Sequence, residues 1–337
     1  METKVILAIE TSCDETAMCI IDTNNNVLAH VVNSQANDFA SLGGVVPELA
    51  SRKHVDNIFY VYQEVLYQAQ KSIEEIDYIA VTYGPGLIGS LLVGVNFANS
   101  LCLLYNKPII PINHMQGHIY AISMDHEITY PHLSLIASGG HTDLVYLQQP
   151  NSFELLGQTQ DDACGECFDK VAKLLDLPYP GGPYIEQLAQ TGIIGSYQLP
   201  IPKQDDSYDF SFSGLKAACY NLVNQAQMKH EVIDRSNFCA SFQYVAIASL
   251  LNKLSLAKNN LQPASISIVG GVSCNQYLRQ EAKRIDENII FPDKALTTDN
   301  AMMIGLVATM QLNLGIAQIT NTVNATPSID VEEQWHN

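Results

Sequence analysis

The sequence predicts an α/β protein built as two lobes on one repeated plan. Three observations support this. A pattern of strand, polar turn, strand, turn, strand opens the chain. The same pattern recurs about 125 residues later. Helical stretches with glycine-rich connections follow each copy, and no low-complexity linker separates them.

In order, VILAIE (5–10) reads as a strand, TSCDET as a polar turn, AMCIID (17–22) as a second strand, TNNN as a hairpin turn and VLAHVVN (27–33) as a third strand. Pro47 suits the first turn of a helix that runs through the apolar periodicity of residues 47–70. IDYIAVTYGPG (76–86) is a strand entering a glycine-rich turn. From Gly86 to Asn106 no charge occurs for 21 residues. Asn96, Asn99 and Ser100 within it suit a buried helix rather than a membrane span. The second copy runs LSLIA (133–137), SGGHT, DLVYL (143–147), QQPNS and FELLGQT (153–159). Helices follow at 161–177 and 236–257, with the strand SISIVGG (265–271) after them. TTDNAMMIGLVATMQL (297–312) is an apolar helix expected to return to the first lobe.

A duplicated hairpin sheet with crossing helices is the plan of the actin-like (ASKHA) fold, a duplicated ribonuclease H-like arrangement with two lobes around a nucleotide cleft. The first lobe is expected over residues 1–112, completed by the C-terminal helix at about 300–325, and the second over 113–299. This fold hosts kinases, chaperones and acyl transferases, so it does not fix a function.

Composition narrows the field. The chain has 337 residues, 47% hydrophobic and 15% charged, which describes a folded globular protein. Its net charge of −18 argues against the whole surface serving as a nucleic-acid platform. The basic residues Lys170, Lys173, Lys203 and Lys216 offer at most a local patch. The N-terminal stretch turns acidic before an apolar signal segment completes. Eight cysteines without a secretory signal read as reduced thiols in the cytoplasm. CGEC (164–167) has redox-like spacing, but one C-x-x-C pair cannot supply four metal ligands. Two small buried side chains one helical turn apart is the reading adopted.

NHMQGHIY (113–120) places His114 and His118 four residues apart, on one face of a helix. That spacing admits two metal ligands or two unrelated helix histidines. Met115 stands where a zinc protease carries glutamate, and Gly117 weakens a regular helix. Asp299 sits at the start of the last helix, as an N-cap or as a third ligand. The turns IASGGHT (136–142), YPGGP (179–183) and VGGVSCN (269–275) are glycine-rich, and such turns let backbone amides approach an anion.

Ten motifs then fall in order: ETSCDET, GGVVPELASRKH, GPGL, HMQGH, SGGHT, DDACGECFDK, YPGGP, FSFSGLK, GGVSCN and TDNAMM. Through them the chain resembles, nearly end to end, the tRNA N6-adenosine threonylcarbamoyltransferases, the TsaD group once labelled glycoproteases. The resemblance implies transfer of a threonylcarbamoyl group from threonylcarbamoyl-adenylate to N6 of adenosine 37 in tRNAs reading codons that begin with A, releasing AMP. It also implies a metal at His114, His118 and Asp299, usually iron as one Fe(2+) per subunit, with zinc or another divalent ion as alternatives. Ile136, Ala137, Ser138, Gly139 and Gly140 would contact the adenylate, and Asp169, Gly182 and Asn275 its nucleoside end. Asp14 and Glu15 face the metal in relatives and are candidate catalytic helpers, or else carboxylates that stabilise the turn. Expected partners are tRNA, a TsaB-like scaffold paralogue and a TsaE-like accessory ATPase, with no membrane. The paralogue is expected to dock on the apolar helix from Leu87 to Leu104, whose Gly89, Ser90 and Gly94 permit close packing.

Three departures from the family pattern stand out. Gln116 replaces a common glutamate, so an acidic partner of the metal site is expected to be lost. Glu186 stands where some relatives place a ribose-binding aspartate, and that role is not carried over. Both cysteines of CGEC replace alanines. Other readings are a non-catalytic scaffold, disfavoured by the two histidines; a metalloprotease, disfavoured by the missing H-E-x-x-H; and an actin-like sugar or acyl kinase.

Overall fold

The computed structural model describes residues 2–40, 42–203, 205–333 and 335. In chain order the elements are β1 (Val5–Glu10), β2 (Glu15–Asp22), β3 (Val27–Ser34), α1 (Ala36–Phe39), α2 (Pro47–Ala69), β4 (Tyr78–Gly84), α3 (Ile88–Tyr105), β5 (Ile109–Asn113) and α4 (His114–Tyr120). Next come β6 (His132–Ala137), β7 (Thr142–Leu147), β8 (Phe153–Gln158), α5 (Cys164–Leu174), α6 (Gly181–Ala189) and α7 (Ser213–Met228). Last are α8 (Arg235–Leu261), β9 (Ser265–Val269), α9 (Gln276–Ile285) and α10 (Ala301–Asn313).

The chain divides into two compact units: Met1–Asp38, Val45–Glu127 and Pro292–Asn337 form one, Phe39–Gly44 and Ile128–Phe291 the other. The first holds a sheet ordered β3-β2-β1-β4-β5, the second a sheet ordered β8-β7-β6-β9. Each begins as an antiparallel three-strand meander and then adds strands parallel to its first strand. The repeated plan read from the sequence is therefore present in both sheets.

In the first unit Leu7, Ile9, Met18 and Ile20 pack with Ile58, Val61, Val65, Val95 and Ala98 of α2 and α3. α10 covers the opposite face of β1 and β2. A Cβ on its Gly305 would lie 2.7 Å from Ile21, so glycine sets how closely this helix approaches. Burial on both faces explains why VILAIE is a continuous apolar run rather than an alternating one. In the second unit β6 and β7 share one core with α5, α6, α7 and α8.

The expected lobe boundaries at 112/113 and 299/300 fall instead at 127/128 and 291/292. β5 pairs with β4 and runs directly into α4, and α4 packs against α10. Those contacts draw residues 113–127 and 292–299 into the first unit. α10 packs on the first unit as expected, but it ends at Asn313. The chain beyond it returns as an irregular strap. Val323 exchanges two hydrogen bonds with the Asn99 side chain, each 2.9 Å. Thr326 N–H donates to Tyr83 O at 2.7 Å, and Gly86 N–H to Pro327 O at 3.1 Å. Asn113 and Gln116 side-chain amides donate to the carbonyls of Asp330 and Val331 at 2.9 and 3.0 Å.

The uncharged stretch forms α3, which by length and composition is long and apolar enough to cross a membrane. It packs against α2 and β4. Its small residues face inward, contrary to their expected role in an external docking face. A Cβ on Gly89 would lie 2.2 Å from Ser51 Oγ, and one on Gly94 would lie 2.4 Å from Thr11 Oγ1. The exposed apolar side chains of α3 near its start are Ile88 and Leu92, and α2 exposes Val55 and Phe59.

Candidate functional site

The metal candidates meet within the first unit. Asn113 Oδ1 accepts from Met115 N at 2.9 Å and caps α4, so the helix begins at His114. Every residue of α4 is buried. A Cβ on Gly117 would lie 3.0 Å from Ile304 and Met303, so this glycine serves the approach of α10. α10 is capped by Asn300, whose Oδ1 accepts from Met303 N at 3.0 Å. Asp299 is therefore not the cap, and its carboxylate turns to the histidines. Asp299 Oδ1 lies 3.4 Å from His114 Nε2 and 3.3 Å from His118 Nε2. One ligand atom from each of the three residues falls within 4.8 Å of the others.

This donor set fits a metal ion. Both ring nitrogens of His118 are buried without a hydrogen bond, an arrangement that costs free energy unless something else binds there. Two imidazoles and a carboxylate leave coordination positions open and suit a divalent first-row ion. The surrounding charge favours a cation. Burial alone would lower the pKa of His114, but the carboxylates of Asp299 and Glu10 outweigh it and raise it well above the ordinary value. Burial also works against charge on Asp299, yet His114 and His118 hold its carboxyl far below the usual range.

Asp14 is nearly buried, in the turn after β1. Burial pushes its carboxyl up, and repulsion from Asp299 adds to the effect. Burial pushes Glu15 well above its ordinary value, with Asp14 and Asp299 contributing. Gln116 donates to Val331 O and makes no acidic contact with the histidines, so the strap accounts for this amide. The acidic side chain beside His114 is Glu10, whose Oε2 lies 3.1 Å from Nδ1. Its signal in the sequence was a charged residue ending an apolar strand.

The anion turn lies in the second unit. Ile136 and Ala137 are fully buried inside β6, paired with β7, and Ile136 pairs with β9 as well. Ser138 closes the turn twice, donating N–H to His141 O at 2.9 Å and accepting His141 N–H on Oγ at 3.1 Å. The N–H groups of Gly139 and Gly140 make no hydrogen bond among the described residues, and a Cβ on either would meet nothing within 4 Å. The tight glycines are two others, whose packing role the sequence does not reveal. Gly165 N–H donates to Ser138 O at 3.1 Å. Gly270, at φ +86°, leaves a Cβ position only 2.5 Å from Ala137 O.

Asp169 Oδ1 accepts Gly181 N–H at 2.7 Å and fixes the start of α6, while Gly182 faces open space. Asn275 is committed to structure: Oδ1 caps α9 through Leu278 N, and Nδ2 donates to Gln243 Oε1 at 2.8 Å. Glu186 accepts Gln276 N–H at 2.6 Å, at the start of the same helix. Cys164 and Cys167 are wholly buried in the core, where burial raises both thiols, in accord with the apolar reading. Three of the four basic side chains are paired: Lys170 and Lys216 both bind Asp162, and Lys203 lies 3.7 Å from Asp205 and Asp209.

The sequence model of the family described as "TsaD: tRNA N6-adenosine threonylcarbamoyltransferase" matches residues 26–306. Among curated proteins, the tRNA N6-adenosine threonylcarbamoyltransferase of Mycoplasma capricolum is 46% identical over 308 residues, covering 90% of this chain and 96% of its own. That of Clostridium beijerinckii is 43% identical over 340 residues, covering 99% and 100%. Among solved structures, full-length HypF in its phosphate- and nucleotide-bound form matches with TM-score 0.63 and 14% identity, over 94% of this chain and 56% of HypF. Component A of the Acidaminococcus fermentans (R)-2-hydroxyglutaryl-CoA dehydratase matches with TM-score 0.56 and 14% identity, over 92% and 99%. At such identity these two establish the actin-like fold alone. With a family match across most of its length and close relatives covered end to end, the chain belongs to the tRNA N6-adenosine threonylcarbamoyltransferase family and is an acyltransferase acting on tRNA.

Proposed function

We propose that the chain transfers the threonylcarbamoyl group from threonylcarbamoyl-adenylate to N6 of adenosine 37 in tRNAs reading codons that begin with A. The N6 nitrogen attacks the carbamoyl carbon, the bond from that carbon to the phosphate oxygen breaks, AMP leaves, and a proton departs from N6. The observation carrying this reading is the convergence of His114, His118 and Asp299 around buried, unpartnered ring nitrogens. We assign these three residues to one Fe(2+) per subunit, zinc or another divalent ion being the alternative. The chemistry such an ion supplies when bound is Lewis-acid charge at an anionic oxygen.

The chain's own groups do the rest. The free amides of Gly139 and Gly140 suit an anionic phosphate, and Ser138 holds their turn closed. Asp169 and Gly182 form the proposed nucleoside contact, with Asn275 supporting it through α9. Asp14, whose raised pKa improves it as a base, is the candidate acceptor for the N6 proton. Paired lysines and a charge of −18 support a need for help in holding tRNA, supplied by the TsaB-like paralogue and the TsaE-like ATPase. Eight free thiols support a reducing cytoplasmic setting.

The test combines the purified chain, both partners, tRNA and threonylcarbamoyl-adenylate. Mass spectrometry should find the modified nucleoside and AMP in equal amounts. Production of ADP from ATP by this chain alone, with unmodified tRNA, would favour the kinase reading.

A further inference from the structure

We propose that Glu10 is a positioning residue, holding a proton on His114 Nδ1 so that Nε2, beside Asp299, is the nitrogen available to an ion. This rests on the metal reading above and goes beyond its three ligands. Glu10 ends β1 and is wholly buried. Its Oε1 accepts Ser12 N–H at 2.5 Å. Its Oε2 accepts the Thr82 hydroxyl at 2.6 Å and lies 3.1 Å from His114 Nδ1.

A carboxylate only accepts hydrogen bonds, so at this distance Nδ1 must donate. Ser12 Oγ also lies 3.1 Å from Nδ1, and a hydroxyl alone would permit either tautomer. Glu10 removes that freedom. Nδ1 therefore keeps its proton, and Nε2, 3.4 Å from Asp299 Oδ1, is the nitrogen left to exchange its proton for an ion. His118 makes no hydrogen bond on either nitrogen among the described residues, its Nε2 only facing Asp299 Oδ1 at 3.3 Å. The two histidines therefore differ: one is oriented by the fold before any ion arrives, the other only by the ion.

The decisive variant is Glu10→Gln. Ser12 N–H can only donate, so the new amide must turn its oxygen there and its NH2 towards Thr82 and His114. Nδ1 must then accept, and the proton moves to Nε2, where it blocks ligation. Co2+ is the probe, titrated into metal-free protein at neutral pH by absorbance and calorimetry, with His114→Ala as reference. The expected result is a loss of Co2+ affinity of about 10–100-fold. The melting temperature of the metal-free variant should stay within a few degrees of wild type.

Affinity within threefold of wild type would overturn the proposal while leaving the metal reading intact. Failure of the wild-type protein to bind Co2+, or full binding by His114→Ala, would overturn both. If Glu10→Gln does not fold, Thr82→Val decides instead, because it removes the hydroxyl that orients Oε2 and keeps the charge. A several-fold loss of Co2+ affinity then supports the role, and an unchanged value rejects it.

Discussion

Gly165 donates its N–H to the carbonyl oxygen of Ser138 at 3.1 Å, and a Cβ at Gly165 would stand only 2.5 Å from that same oxygen. The start of α5 is thus seated directly against the anion turn. Gly165→Val should displace the turn, destabilise the protein by about 1–3 kcal/mol, and abolish adenylate binding. Gly139→Val has open space for its side chain, so it should keep wild-type stability and weaken adenylate binding through crowding of the ligand alone. Calorimetry with a non-hydrolysable adenylate, beside thermal melts, checks both. Equal stability of the two variants would mean that Gly165 does not brace the turn.

Metal content is the second expectation. His114→Ala and Asp299→Ala should each retain the fold and lose most bound metal and most transfer activity, since two remaining ligands hold an ion weakly. Elemental mass spectrometry on protein purified without chelator measures this, and stoichiometric metal in either variant would refute the assignment.

Paralogue docking is better tested on outward side chains than on Gly94. Gly94→Leu would drive a side chain into Thr11 and should destabilise the first unit by more than about 1 kcal/mol, whatever its effect on partners. Phe59→Glu and Leu92→Glu lie on exposed faces of α2 and α3. Each should leave circular dichroism unchanged and weaken paralogue binding at least about tenfold. Undiminished affinity in both would exclude this face.

Acid sensitivity should have a component from His132. Its ring is fully buried between Ser265 and Ser267, and burial lowers its pKa to about 4. An unfolded histidine takes up its proton near pH 6.5. Between those values the unfolded chain binds the extra proton, so stability is fully present above about pH 6.5 and falls towards pH 4. The total approaches about 3 kcal/mol. Urea midpoints at pH 7.5 and pH 5 should therefore differ more in wild type than in His132→Gln. Parallel shifts would assign the sensitivity elsewhere.

The repeated meander was legible because strand periodicity and turn residues are local signals. VILAIE and LSLIA needed no knowledge of their neighbours. His114, His118 and Asp299 were legible only through resemblance, since i and i+4 spacing permits both a metal site and a plain helix face. The cap on Asn300 decides between the roles of Asp299, and it appears only once α10 is placed. Gly165 and Gly270 escaped notice for the same reason. One looks like an ordinary helix glycine and the other like an ordinary turn glycine until Ser138 and Ala137 are laid beside them. The lobe boundary was misplaced because the pairing of β4 with β5, and of α4 with α10, leaves no mark on composition.

The strap that follows α10 gives the molecule an order of completion during synthesis. All but six residues of the second unit lie in one uninterrupted stretch, whereas the first draws on three segments that begin and end the chain. On the ribosome, β1 must wait for α10, and β5 and α4 for Asp299, Asp330 and Val331, before their contacts are satisfied. The unit that carries His114, His118 and Asp299 is therefore the last to mature, although its first strand emerges before the second unit. Pulse-labelled chains should acquire protease resistance in residues 128–291 before residues 1–127, and the reverse order would contradict this sequence of events.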